Sequence, residues 1–171
     1  RFMPLSVSEN GVLAYQTGRA IGDSQILWFD RQGKQLGAVG APGIVFFPAL
    51  SPDEKTVALG RVESAGGRPD VWLHELSRGT DTRFTYHASA DITPVWSPDG
   101  KRIVFRSDRG GQFVLYQKDS GGAGQEEPLG GTSGGAQMPS QWSRDGRLVV
   151  YHSVTPKTRR DLFTVPIQGE Q

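Results

Sequence analysis

Pro94-Val95-Trp96-Ser97-Pro98-Asp99-Gly100-Lys101-Arg102-Ile103-Val104-Phe105 reads as a strand, a tight turn and a second strand. Ser97-Pro98-Asp99-Gly100 places at each position what a type I turn asks for: Ser first, Pro pre-setting φ second, Asp third and Gly last. Trp96 before it and Ile103-Val104-Phe105 after it are aromatic or β-branched, the residues that pack on a pleated surface. Working outward, the unit recurs at Ser8-Glu9-Asn10-Gly11, Ser51-Pro52-Asp53-Glu54 and Ser143-Arg144-Asp145-Gly146. The four serines stand 43, 46 and 46 residues apart. Evenly spaced self-similarity near 45 residues is the mark of a repeat array with four-stranded blades.

The flanks repeat as well. Val7, Leu50, Trp96 and Trp142 precede the serines, and a second strand follows each turn: Val12–Tyr15, Thr56–Leu59, Ile103–Phe105 and Leu148–Tyr151. These are unbroken apolar runs, as expected of strands buried on both faces. A third strand is read at Gln25–Phe29, Val71–Leu76, Phe113–Tyr116 and Asp161–Val165. A weaker, more polar fourth is read at Gln35–Val39, Thr82–Thr85 and Glu127–Leu129, as suits an outer edge. The expectation is an all-β fold, a β-propeller-type array of about four four-stranded antiparallel blades. It forms a partial propeller or arc of about fifteen strands, with the last blade incomplete. The units run roughly over residues 2–40, 46–86, 92–131 and 137–171 of a single domain.

Two copies depart from the pattern. Asn10-Gly11 in the first favours a two-residue type I′ hairpin. In the second, Glu54 stands where Gly100 and Gly146 stand elsewhere, so a left-handed backbone there would strain it by about 1 kcal/mol.

Composition narrows the function classes. With 171 residues the chain can bury a substantial core. Its 19 basic and 18 acidic residues are interspersed and leave a formal charge of +1, which gives no reason to expect nucleic acid as a partner. The longest apolar run, residues 43–50, contains Pro48 and is too short to span a membrane. Arg1 stands in place of an initiator Met and no signal-peptide core follows, so a piece of a longer protein is expected. Without cysteine there is no disulfide framework and no thiolate metal site.

Phe47-Pro48-Ala49-Leu50-Ser51-Pro52-Asp53 and Thr93-Pro94-Val95-Trp96-Ser97-Pro98-Asp99-Gly100-Lys101 resemble the PD40, or TolB-type WD40-like, propeller repeat. Three stretches resemble more narrowly the propeller that follows the kinase domain of bacterial membrane-anchored serine/threonine kinases. They are Leu27–Lys34, Asp70–Leu73 with Arg78-Gly79-Thr80, and Leu115–Lys118. That resemblance implies six to eight blades in the whole propeller and a sensing or interaction role outside the cytoplasm. The chain itself carries no Gly-rich phosphate loop, no His-Arg-Asp and no Asp-Phe-Gly. The expected function is a non-catalytic scaffold, sensor or protein-interaction module, without cofactor or metal. Two alternatives stand beside it: a TolB-like interaction domain of a transport assembly, and the propeller accessory of a prolyl-oligopeptidase-like hydrolase.

A few local motifs carry candidate chemistry. Gly131-Thr132-Ser133-Gly134-Gly135 matches a nucleophile elbow, but Pro139 follows too soon for the helix an elbow must open. His74, His87 and His152 lack metal-ligand spacing. Asp53, Asp99 and Asp145 recur one blade apart, which suits turns better than calcium. Trp28, Trp72, Trp96 and Trp142 are assigned to inter-blade packing, with carbohydrate stacking as the runner-up. The loops carrying Arg106, Asp108 and Arg109, and Arg159 and Arg160, belong to one rim. They form the candidate partner-binding site, Arg109 being expected in a solvated turn. An arc leaves a face bare at each end, so self-association through Leu13, Tyr15, Val149 and Tyr151 or their neighbours is also expected.

Overall fold

The computed structural model describes residues 5–7, 13–17, 24–64, 66–130, 134–155 and 159–167. The motif turns are knotted by hydrogen bonds that the sequence only hints at. In the third unit the Gly100 amide donates to the Ser97 carbonyl (2.9 Å), closing a type I turn. Ser97 Oγ donates to Asp99 Oδ1 (2.6 Å) and accepts from the Arg102 amide (2.9 Å). The same carboxylate accepts from the Lys101 amide (3.0 Å). Ser51 with Asp53 and Ser143 with Asp145 repeat the arrangement. Each motif thus satisfies its own turn amides, and its aspartate is committed to the turn. Glu54 stands at φ +58, where Gly100 has +72 and Gly146 +75, so the expected strain in the second copy is present. The Asn10-Gly11 turn lies outside the described residues.

Fourteen strands follow, all antiparallel, with no helix among the described residues. The first unit comprises β1 (Leu5–Val7), β2 (Leu13–Thr17), β3 (Ser24–Phe29) and the first part of β4 (Gln35–Leu50). The second comprises the rest of β4 with β5 (Thr56–Val62), β6 (Asp70–Glu75) and β7 (Thr80–Arg83). β8 (Asp91–Trp96), β9 (Arg102–Ser107), β10 (Val114–Asp119) and β11 (Glu127–Pro128) make the third. β12 (Ala136–Trp142), β13 (Leu148–Val154) and β14 (Asp161–Pro166) make a three-stranded fourth.

The sequence reading separates an outer strand ending at Val39 from the next inner strand. Here β4 runs through Gly40-Ala41-Pro42-Gly43 without a turn and pairs with β3 on one side and β5 on the other. The first two units therefore share one seven-stranded sheet, and fourteen strands do the work of fifteen. Gly40, at φ +64, bends the shared strand. The inner strands of the last three units also carry an irregularity, between Phe46 and Ala49, Ile92 and Val95, and Pro139 and Gln141. At the first two, Phe47 and Thr93 take φ of +50 and +60 ahead of a proline.

Burial alternates so that three apolar clusters lie between four successive units. Ile26 and Val39 meet Val45, Val57 and Leu59. Ala58, Val71 and Phe84 meet Ile103 and Phe105. Val104, Leu115 and Leu129 meet Trp142, Val149, Tyr151 and Val165. Trp28 and Trp72 pack on the first cluster and Trp96 on the second, as the packing assignment of the tryptophans requires. Trp96 also ties two units directly, its indole N–H donating to the Ala49 carbonyl at 3.0 Å. One expectation is corrected: Val149 and Tyr151 face inward and are buried at 0% and 1% exposure. The apolar residues left bare at that end are Leu148, Val154 and Leu162. The period-two register of β13 turns Val149 and Tyr151 inward and Leu148 outward. Leu13 and Tyr15 have side chains outside the described residues.

Candidate functional site: a charged rim

The loops from second to third strands and those entering the next inner strand meet along one edge. Their backbones are stitched across the seams: the Asp91 amide donates to the Pro69 carbonyl and the Gln137 amide to the Phe113 carbonyl, both at 2.8 Å. Arg68 of the second unit is bonded to Asp108 of the third, whose Oδ1 also accepts from the Ala90 amide (2.9 Å).

Arg109 is not in a solvated turn, and that expectation is corrected. Its side chain is 14% exposed and lies over the Tyr116 ring at 4.1 Å. It pairs with Glu126 (2.6 Å) and with Asp91 (3.3 Å), whose side chain is fully buried. Burial pushes Asp91 above the usual carboxylate range, against the pull of Ser107 and Arg109. Desolvation alone would lower the Arg109 pKa, but Glu126 and Asp91 outweigh it and raise it. Lys118 joins the network. Its ammonium donates to the Phe84 carbonyl (2.9 Å), lies 3.8 Å from Glu126 and faces the Phe84 and Tyr86 rings. Lys118 thus ties the third unit to the second through Phe84, while the Arg109 pairs lock the rim of the third unit itself.

Arg106 differs. Its guanidinium stacks on Phe113 at 4.5 Å, its Nε is buried without a hydrogen-bond partner, and burial lowers its pKa with no opposing carboxylate. Arg159, at φ +69, and Arg160 are exposed on the loop of the last unit. His152 is bonded to Ser140 (Nδ1 to Oγ, 3.2 Å); burial first, then the charges of Arg160 and Arg106, lower its pKa. The charges of Arg106 and Arg160 thus both reach His152, whereas Asp108 is engaged by Arg68 and Arg109 by Asp91 and Glu126.

The remaining candidates resolve into structural roles. His74 is buried and its Nδ1 meets Asp81 at 2.6 Å, with Arg61 on the other carboxylate oxygen (2.8 Å). A small cleft beside this pair is lined by Ile26, Val39, Gly40 and Val45. His87 is exposed and accepts the Ser89 amide. Residues 131–133, including Ser133, lie outside the described residues. Gly135 is glycine because a Cβ there would stand 2.2 Å from the Val154 carbonyl oxygen and 2.7 Å from Ser153 Oγ. Among the described residues, no three His, Asp or Glu side chains form a metal cluster, and no helix is long and apolar enough to cross a membrane.

Sequence reasoning missed Asp91, Lys118, Glu126 and Ser153. A signal for two of them exists: Ser107 and Ser153 both stand ten residues after a motif serine, and Asp91 lies opposite the first of them.

The geometry accords with the comparisons. The fold resembles TolB from Acinetobacter baumannii with a TM-score of 0.79 at 21% identity, over 95% of this chain and 42% of that one. The putative TolB from Agrobacterium tumefaciens gives the same score and identity, over 96% of this chain and 61% of that one. In sequence, 86 residues are 29% identical to the Tol-Pal system protein TolB of Helicobacter pylori, covering 50% of this chain. The match spans only 18% of the length of that relative. The family model described as the TolB beta propeller domain matches residues 4–169. Repeat, seams and family model agree: the chain belongs to the PD40, TolB β-propeller domain family.

Proposed function

We propose that this chain is a non-catalytic protein-interaction module that presents its charged rim to a partner outside the cytoplasm. The observation that carries the reading is the stitched rim. Loops of successive units are fixed to each other by Arg68–Asp108 and by the Asp108–Ala90 bond, so they form one polar surface instead of separate flexible turns. Binding residues characteristically sit on loops held by a rigid scaffold. The TolB relatives, one of them named for the Tol-Pal system, support a role within an envelope assembly. The extracytoplasmic location rests on the same likeness. A parent serine/threonine kinase is the narrower form of this reading; it rests on Leu27–Lys34, Asp70–Leu73 with Arg78-Gly79-Thr80, and Leu115–Lys118, and the full-length reading frame decides it. Self-association belongs to the same reading and uses the end face carrying Leu148, Val154 and Leu162. Light scattering of the wild type and Leu162→Glu tests that contact.

A photo-crosslinking amino acid placed at Gln112 or Arg159 on the rim, and at Glu127 on an outer edge, tests the main proposal in cells of the source organism. Adducts from the rim positions alone are expected. Equal labelling from all three, or none from the rim, would sink it.

A further inference from the structure

The three seams follow one positional rule. Each unit turns one face of its second and third strands forward, onto the next unit, and the other face back. The forward face supplies Ala58 and Val71 in the second unit and Val104 and Leu115 in the third. The backward face supplies Val57 and Leu59, then Ile103 and Phe105, then Val149 and Tyr151. The spacing is fixed by the motif serine. Ala58 and Val104 stand seven residues after it, and the backward pairs six and eight residues after it.

The last unit keeps the rule. Val150 stands seven residues after Ser143, and Leu162 is opposite His152 as Leu115 is opposite Arg106. Both therefore belong to a forward face. On it Leu162 is 76% exposed, Val154 49% and Leu148 38%, three of the five large apolar side chains left exposed among the described residues. The first unit keeps the rule as well. Leu13 and Tyr15 stand opposite Phe29 and Leu27 in the ladder, as Val57 and Leu59 stand opposite His74 and Trp72. Tyr15 thus holds the register of Phe105 and Tyr151, the aromatics buried in the two later seams. By register, neither face receives a Lys, Arg, Asp or Glu from these strands, so no like charges oppose their approach. Every seam joins a forward face to a backward one, and a second forward face is the wrong complement.

We propose that the first unit of a second copy of this chain docks head to tail on the last unit. Its Leu13 and Tyr15 register meets Val150 and Leu162 as Val149 and Tyr151 meet Val104 and Leu115. The proposal rests on the self-association reading and adds to it the orientation and register of the contact. Light scattering of the full chain should give a mass above that of one copy. Orientation is read by mixing 15N-labelled wild type with unlabelled Arg147→Cys carrying a nitroxide. Arg147 is 82% exposed beside the forward face, and a chain without cysteine takes the label at that one position. Label and observed amides lie on different copies, so only contacts between copies register. The amides of Ser24–Phe29 should broaden. Leu162→Glu in the nitroxide-bearing copy should raise the dissociation constant about tenfold or more, as loss of one buried leucine implies, and the broadening should fade accordingly. The mass of a single copy at about 100 µM would end the self-association reading and the proposal with it. Association with broadening on Leu148–Val154 and Asp161–Pro166 instead would leave self-association standing and overturn the head-to-tail orientation. Broadening of Ser24–Phe29 that survives L162E unchanged would overturn the register.

Discussion

Removing Arg109 should cost the protein far more than a rim arginine ordinarily does. In Arg109→Ala the fully buried Asp91 loses its cation and keeps only Ser107. Glu126 is left with Lys118 at 3.8 Å, and Tyr116 loses the group stacked on its face. Breaking a buried pair from one side costs about 3–5 kcal/mol, and the Ser107 bond argues for the lower end, about 3 kcal/mol. With a urea m-value of about 2 kcal/mol/M for a chain of this size, the midpoint should fall by about 1.5 M at unchanged m. Arg78→Ala, whose side chain is 76% exposed, serves as the control and should stay within about 0.5 kcal/mol. The deficit also has a sign in pH. Asp91 already sits above the usual carboxylate range, and loss of Arg109 pushes it further. Protonation then removes the stranded charge, so the deficit should shrink as the pH falls from neutrality towards about 4. Asp91→Asn in the R109A background should restore part of the loss. A midpoint indistinguishable from wild type, or a deficit of constant size across that pH range, would refute the buried pairing of Arg109 with Asp91.

Two further outcomes are expected. Glu54→Gly relieves a left-handed backbone at φ +58 and should stabilise by about 0.5–1 kcal/mol in thermal melts, net of the entropy glycine loses on folding; a destabilised variant would show that the Glu54 side chain matters more than its backbone. The Ser143 hydrogen bond, first among the causes, lowers Asp145 from 3.8 to about 2, so its contribution is present above the ordinary carboxylate pKa and is lost as the pH falls towards 2. Asp145→Asn should therefore flatten the acid limb of the stability–pH curve, and an unchanged limb would contradict that role.

The repeat was legible because its turn chemistry is local. Ser97, Pro98, Asp99 and Gly100 each act within a few residues of themselves, and the structure returns their bonds with each other. The double burial of the second strands was legible for the same reason, from runs such as Ile103–Phe105. The charged seam was not, because Arg109 meets Asp91 and Glu126 across 18 and 17 residues of chain, and no local pattern announces such a meeting. Arg109 looked like a turn arginine beside Asp108, whereas Asp108 serves Arg68, forty residues away. Gly40-Ala41-Pro42-Gly43 misled in the opposite sense. Its composition is that of a turn, yet the strand continues through it as a bulge, pinned by Val39 opposite Ile26 and Gly43 opposite Ser24 before the ladder to β5 begins at Ile44.

That shared strand has a consequence for how the chain can change. Side chains along the paired stretches of β4 alternate between faces, so inserting one residue between its bulges turns the paired residues beyond it over as far as the next bulge. In a blade bounded by loops the damage would stop at the nearest turn. Here Val39 and Val45 pack into the same cluster from the two halves of one strand, so a slip in either half misplaces the other relative to Ile26 and Val57. Loops such as residues 108–113 can lengthen or shorten between relatives at little cost. Residues 35–50 have no such freedom, and over that span the first two blades are bound to vary together in sequence.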